Sequence, residues 1–163
     1  MSFTVEKDWT TDAGFRAVVL MTSRGHRCGY VGVPQGHPLY GVAYGAPTPV
    51  LKMNMNRSVE KMSPIQMLAA VCKDESELCC PEYVFEVHGG LTFSDTGGDY
   101  PVTSYLHWFG FDCAHHGDAP APGSSGAEVA DRLEFSIFGG VHRSLDFCVD
   151  ECESLARQIK EAT

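Results

Sequence analysis

The chain has no hydrophobic run near the roughly 20 apolar residues that a membrane-spanning helix needs, so the sequence predicts no membrane partner. Its first residues, Met1-Ser2-Phe3-Thr4-Val5-Glu6-Lys7-Asp8, show no basic segment followed by an apolar one. That argues against a secretory leader and for a cytoplasmic location. Basic residues are scarce: 12 Lys and Arg stand against 21 Asp and Glu, for a net charge of −9. Duplex nucleic acid is gripped by a basic face, and the one basic cluster, Arg24-Gly25-His26-Arg27, is too short to form one. Nucleic acid is therefore not an expected partner. A small anionic ligand is compatible, because a pocket can be locally positive on an acidic protein. No Cys-x-x-Cys pair occurs among the seven cysteines, which weighs against a structural zinc. Their odd number weighs against a disulfide framework. Walker and dinucleotide fingerprints are missing as well, and no internal repeat is present. The sequence calls for no cofactor.

What is present suits one domain with one core over residues 1–163, since 44% of the residues are hydrophobic and 20% charged. Residues 15–21 and 28–33 read as two strands of an antiparallel hairpin, joined by the turn Thr22-Ser23-Arg24-Gly25. The next eight residues, 34–41, hold two prolines and two glycines and read as a fixed loop. Residues 48–80 stand apart in composition and read as an insertion, with a short helix capped by Ser63-Pro64 and carrying Ile65, Leu68, Ala69 and Cys72. Residues 83–87 read as a strand that continues through 91–94, Thr96-Gly97-Gly98-Asp99 as a turn, 105–111 as a central strand and 117–127 as a loop. Leu145, Cys148, Val149, Cys152, Leu155, Ala156 and Ile159 recur at helical spacing behind a Ser144 cap. The expected fold is α+β: an antiparallel sheet with this C-terminal amphipathic helix packed across one face.

Two segments carry candidate chemistry. In His88-Gly89-Gly90-Leu91-Thr92 the glycine pair frees the backbone beside a histidine, so that a ligand can approach closely and main-chain N–H groups can meet phosphate or carboxylate oxygens. Asp112-Cys113-Ala114-His115-His116-Gly117-Asp118 follows an apolar strand that would deliver its polar groups to a sheet end. Asp112, His115 and Asp118 are three apart, a spacing that one tight turn can converge. With His88 they could ligate a divalent metal, or act as acid and base. A polar loop whose Asp caps local amides is the bland alternative. Tyr40 is a candidate for stacking on a planar ligand, and Arg27 and Arg143 for pairing with an anion.

Arg27-Cys28-Gly29-Tyr30-Val31-Gly32-Val33-Pro34, Gly36-His37-Pro38-Leu39-Tyr40-Gly41, the His88–Thr92 motif and Trp108-Phe109-Gly110-Phe111-Asp112-Cys113-Ala114-His115 with Gly117-Asp118 together resemble a family of small bacteriophage and prophage proteins. Arg143-Ser144-Leu145-Asp146 and Cys152-Glu153-Ser154-Leu155-Ala156 fit the same resemblance, which covers most of the chain outside 48–80. The resemblance implies a counter-defence role: a binding protein, as a homo-oligomer or alone, that sequesters a nucleotide-type signal of the host's immune system. In that reading Gly89, Gly90 and Thr92 supply close contacts, His88 and His115 donate hydrogen bonds, Asp112 accepts from hydroxyls, and Arg27 or Arg143 neutralises phosphate. Two alternatives stand beside it. One is a hydrolase of a nucleotide-type substrate that uses His88, Asp112, His115 and Asp118. The other is an inhibitor that binds a host protein.

Overall fold

Arg16–Thr22 is a run of β-branched and apolar residues and forms strand β2. It turns back through Gly25, at φ +88°, into β3, Arg27–Val33. The two pair antiparallel from Arg16 opposite Gly32 to Met21 opposite Arg27, the expected hairpin. The computed structural model describes residues 2–52, 79–132 and 140–163. The helix expected from Ser63-Pro64 to Cys72 lies outside the described residues. β5, His107–Asp112, pairs antiparallel with β3, and β4, Phe93–Thr96, pairs with β5. Strand β1, Phe3–Thr10, pairs with the free side of β2 and carries a bulge between Val5 and Lys7. The sheet order is β1-β2-β3-β5-β4, with every pairing antiparallel.

β1 was not foreseen from the sequence. It is an edge strand exposed along most of its length, and its Glu6-Lys7-Asp8 run has no apolar face to betray it. The interior strands are buried on both faces, which is why they read as unbroken apolar runs. Ala17, Val19, Val31, Val33, Phe109 and Phe111 face one way and form the main core. Val18, Leu20, Tyr30 and Trp108 face the other and pack under Phe93, Tyr100, Val102 and Leu106.

The C-terminal helix, Leu145–Ala162, lies across the first face of the sheet. Ser144 caps it, its hydroxyl accepting from the Phe147 amide at 3.1 Å. Cys148, Cys152, Leu155, Ala156 and Ile159 are buried as the periodicity predicts, and Leu145 and Val149 close the edge of the stripe. Within the described residues, then, the fold is α+β with an antiparallel sheet and a helix across one face.

Two segments depart from expectation. The strand read over 83–87 is a short helix, α1, Pro81–Val84. Proline at its first turn pre-sets φ and needs no donor. The Phe85 amide then closes the turn on the Pro81 carbonyl at 2.9 Å. The loop read over 117–127 ends early, because α2 starts at Ser125 and runs to Arg132. The C-terminal helix is hereafter α3. Among the described residues, no helix is long and apolar enough to cross a membrane.

Candidate functional site

β5 ends at Asp112, and the chain leaves the sheet there with one more rung: the Cys113 amide donates to the Arg27 carbonyl at 2.9 Å. The Asp112 carboxylate accepts from the Thr92 hydroxyl at 2.9 Å and from the Ala114 amide at 3.0 Å, so it fixes the start of the 113–118 loop. His115 Nε2 stands 3.5 Å from the same carboxylate. The loop closes on itself where the Asp118 amide reaches the His115 carbonyl at 2.9 Å.

Asp118 is the hub. Its side chain has no exposed surface. It accepts from His88 Nε2 at 2.8 and 3.0 Å, from Arg143 Nε at 2.8 Å and from the His115 amide at 3.0 Å. A carboxylate only accepts, so His88 carries a proton on Nε2. Burial pushes the Asp118 carboxyl up, but the hydrogen bonds from Arg143, His88 and the His115 amide outweigh it and hold it below the ordinary carboxylate value.

His88 is itself placed from three sides. Its amide donates to the Glu151 carboxylate of α3 at 2.7 Å. Its ring meets Phe147 edge-on, with centroids 5.3 Å apart. It stands 5.9 Å from the His115 ring. Gly89 and Gly90 follow at φ +69° and +86°. A Cβ on Gly89 would lie 2.0 Å from the His115 ring, so the imidazole lies directly on the Gly89 backbone. The close approach that the glycine pair permits is made here by a side chain of the same protein.

Beside this hub lies a cavity of about 610 Å³, its wall carrying His26, His115, His116 and Asp118 with the apolar Pro120, Val129 and Ala130. Helix α2 forms one side, seated on the β2–β3 turn. The Ser124 hydroxyl donates to the Arg24 carbonyl and the Ser125 hydroxyl to the Ser23 carbonyl, both at 3.1 Å. The fit is tight enough that a Cβ on Gly126 would sit 2.2 Å from the Arg24 carbonyl oxygen. His26 is fixed by Nδ1, 2.8 Å from the Cys113 carbonyl. A carbonyl only accepts, so Nδ1 carries the proton and the neutral ring keeps Nε2 as its acceptor.

The expected site residues are thus divided. His115 and Asp118 line the cavity, while His88 and Arg143 grip Asp118 without lining it. Asp112 and Thr92 hold each other. Arg27 clamps Glu6 through Nε and Nη2 at 2.6 and 3.0 Å, so its charge is already paired. Tyr40 lies at the other end of β5, its ring 6.1 Å from His107 and its hydroxyl donating to the Tyr105 carbonyl at 3.0 Å. Among the described residues no three His, Cys, Asp or Glu side chains are grouped to hold a metal ion. The Cys113 thiol lies 3.6 Å from that of Cys148, and this contact together with burial pushes it well above the ordinary thiol value. It is a buried thiol whose surroundings disfavour the thiolate.

Sequence reasoning passed over His26 and His116 as lining residues. His116 stood inside the motif without a role. His26 was legible only through strand register: pairing Cys28 with Asp112 sets residue 26 opposite 114. No family model matches this chain, and no curated protein or solved structure is similar to it.

Proposed function

We propose that the chain binds a small nucleotide-type ligand in the cavity lined by His26, His115 and His116, and holds it without turnover. As a phage-encoded protein in a host cytoplasm it would then sequester a nucleotide signal of the host's immune system. The observation that carries the binding reading is the pairing of a ligand-sized cavity with a saturated acid. A volume near 610 Å³ falls within the range of small-molecule pockets. Among the described residues the carboxylate at its wall is Asp118, whose side chain has no exposed surface and already takes two donor contacts on each oxygen. An Asp whose acceptor sites are so occupied is a poor general base and a poor metal ligand. Recognition, by contrast, has what it needs. Pro120, Val129 and Ala130 offer an apolar surface to a base face. The acceptor nitrogen of His26 suits an exocyclic amine, and His116 with the Nδ1 edge of His115, whose Nε2 is buried against Gly89, supplies ring nitrogens for hydroxyl or phosphate oxygens.

Native mass spectrometry of the purified chain with a panel of cyclic dinucleotides and ADP-ribose derivatives tests this reading and reads the oligomeric state in the same spectrum. A stable mass shift that releases intact ligand on denaturation is the expected result. Conversion of a panel member would overturn holding in favour of hydrolysis. Absence of any shift would overturn the ligand reading and point to a host protein. Ala130→Trp is expected to fill the cavity from its apolar side and weaken binding by about tenfold or more. Isothermal titration reads this loss, with the thermal midpoint as a control for folding.

A further inference from the structure

The segment from Gly140 to Arg143 runs away from the cavity wall as a strap. Gly140 lines the cavity. Val141 makes a parallel bridge with Asp118, its amide donating to the Gly117 carbonyl and its carbonyl accepting from the Ala119 amide, both at 2.9 Å. Beyond the bridge, Arg27 Nη1 donates to the Arg143 carbonyl at 2.7 Å and contacts His142 Nε2 at 2.9 Å. His142 Nδ1 stands 3.3 Å from the Ala119 carbonyl.

The His142 tautomer is forced from both sides. A guanidinium only donates, so Nε2 must be the acceptor. The Ala119 carbonyl only accepts, so Nδ1 must carry the proton. Only the neutral imidazole satisfies both contacts. A second proton on Nε2 would remove the bond from Arg27 and set two cations against each other.

We infer that protonation of His142 loosens the strap on Arg27, leaving it only the Arg143 carbonyl there, and with it the Gly140 side of the histidine-lined cavity, so that this wall is gated by pH. Histidine is the side chain whose charge changes between pH 5 and 8. The charged groups around it are Arg27 on β3, Glu6 on β1 held by Arg27, and Arg143 with its partner Asp118. Glu6 neutralises Arg27 and softens the repulsion, but it does not restore the lost acceptor. His88 is the further titratable group of the hub, on the far side of Asp118. The inference needs no ligand and so stands apart from the binding reading.

Amide hydrogen exchange of the ligand-free protein between pH 8 and pH 5 is the test, with protection factors corrected for intrinsic exchange. The Val141 and Ala119 amides are expected to lose protection by about tenfold or more as pH falls. His142→Gln is expected to hold it constant, since a glutamine accepts from Arg27 and donates to Ala119 without titrating. A flat profile in the wild type, or the same fall in His142→Gln, would overturn the gate. Nitrogen-15 chemical shifts of the wild-type imidazole at pH 8 give a second reading that depends on no variant. The Nδ1–H tautomer is expected there, and the Nε2–H tautomer would overturn the gate.

Discussion

Asp118→Asn is expected to cost about 3–5 kcal/mol, the usual loss when one member of a buried ion pair is removed. For a chain of this size that is a fall of roughly 6–20 °C in thermal midpoint. The substitution keeps the shape and one oxygen. It takes away the charge that Arg143 and His88 share and places an NH₂ where a second acceptor was. At least one of three donors is then left facing another donor in a site where the Asp118 side chain has no exposed surface. The damage is long-range in sequence. Asp118 ties the 113–118 loop to residue 88 and to residue 143, just before α3, so its loss detaches three segments at once. Urea or thermal unfolding measures the cost, and a loss under about 1 kcal/mol would mean the hub is no more than a surface ion pair.

The same residue sets the acid limb of stability. Its folded carboxyl titrates below the ordinary value, because the bonds from Arg143 and His88 outweigh its burial. A group depressed in this way contributes stability in full above its unfolded value, near 3.9. That contribution is lost as pH falls through the folded value. The gap between wild type and Asp118→Asn should therefore be widest at neutral pH and close progressively below about pH 4. A gap that stays constant down to pH 2 would show that Asp118 acts through shape alone.

Periodicity made the frame legible. The β2–β3 hairpin and α3 each announce themselves through apolar spacing that their burial then obeys. β1 and α1 were not legible, for different reasons. β1 has no fully buried residue, and the bulge between Val5 and Lys7 interrupts the alternation of Phe3, Val5 and Trp9 around a charged Glu6-Lys7-Asp8 run. α1 is a single turn whose decisive feature is Pro81, while its Tyr83, Val84 and Phe85 favour strand by propensity and are buried by tertiary contacts. At the site, His88, His115 and Asp118, which the motifs place near one another, do meet. What spacing could not say is what they converge on. His88 and Asp118 satisfy each other while the His115 Nε2 is buried without a hydrogen bond, and the open space lies to one side, under α2 and against the β2–β3 turn. Glu151 shows the same limit. It falls on the buried side of α3 yet is polar, and its reason is the His88 amide 63 residues away.

Gly29→Ala separates the two roles that the glycine-rich strands could play. Gly29, Gly32 and Gly110 belong to the strand motifs that carry the resemblance, yet each faces a bulky side chain. A Cβ on Gly29 would lie 2.5 Å from two carbons of the Phe111 ring and 2.8 Å from the Cys152 sulfur, and one on Gly110 would lie 2.6 Å from the Tyr30 ring. Gly29 is thus the gap through which α3 reaches the sheet. Where room exists, Gly→Ala in an ordinary backbone conformation stabilises by about 0.4–1 kcal/mol, because it narrows the unfolded ensemble. Here the steric term should win, with a cost of about 3 kcal/mol, the upper part of the range for overpacked cores, because Phe111 and Cys152 are both buried and neither is free to swing out. Because the cost is steric, shrinking the obstacle should return part of it. Gly29→Ala with Phe111→Leu is expected to be more stable than the sum of the two single losses, by about 1 kcal/mol or more of coupling energy in a double-mutant cycle. Additive losses would mean that the glycine is needed for its backbone rather than its space. A stabilised Gly29→Ala would mean that α3 sits farther from the sheet than the Cys152 contact requires.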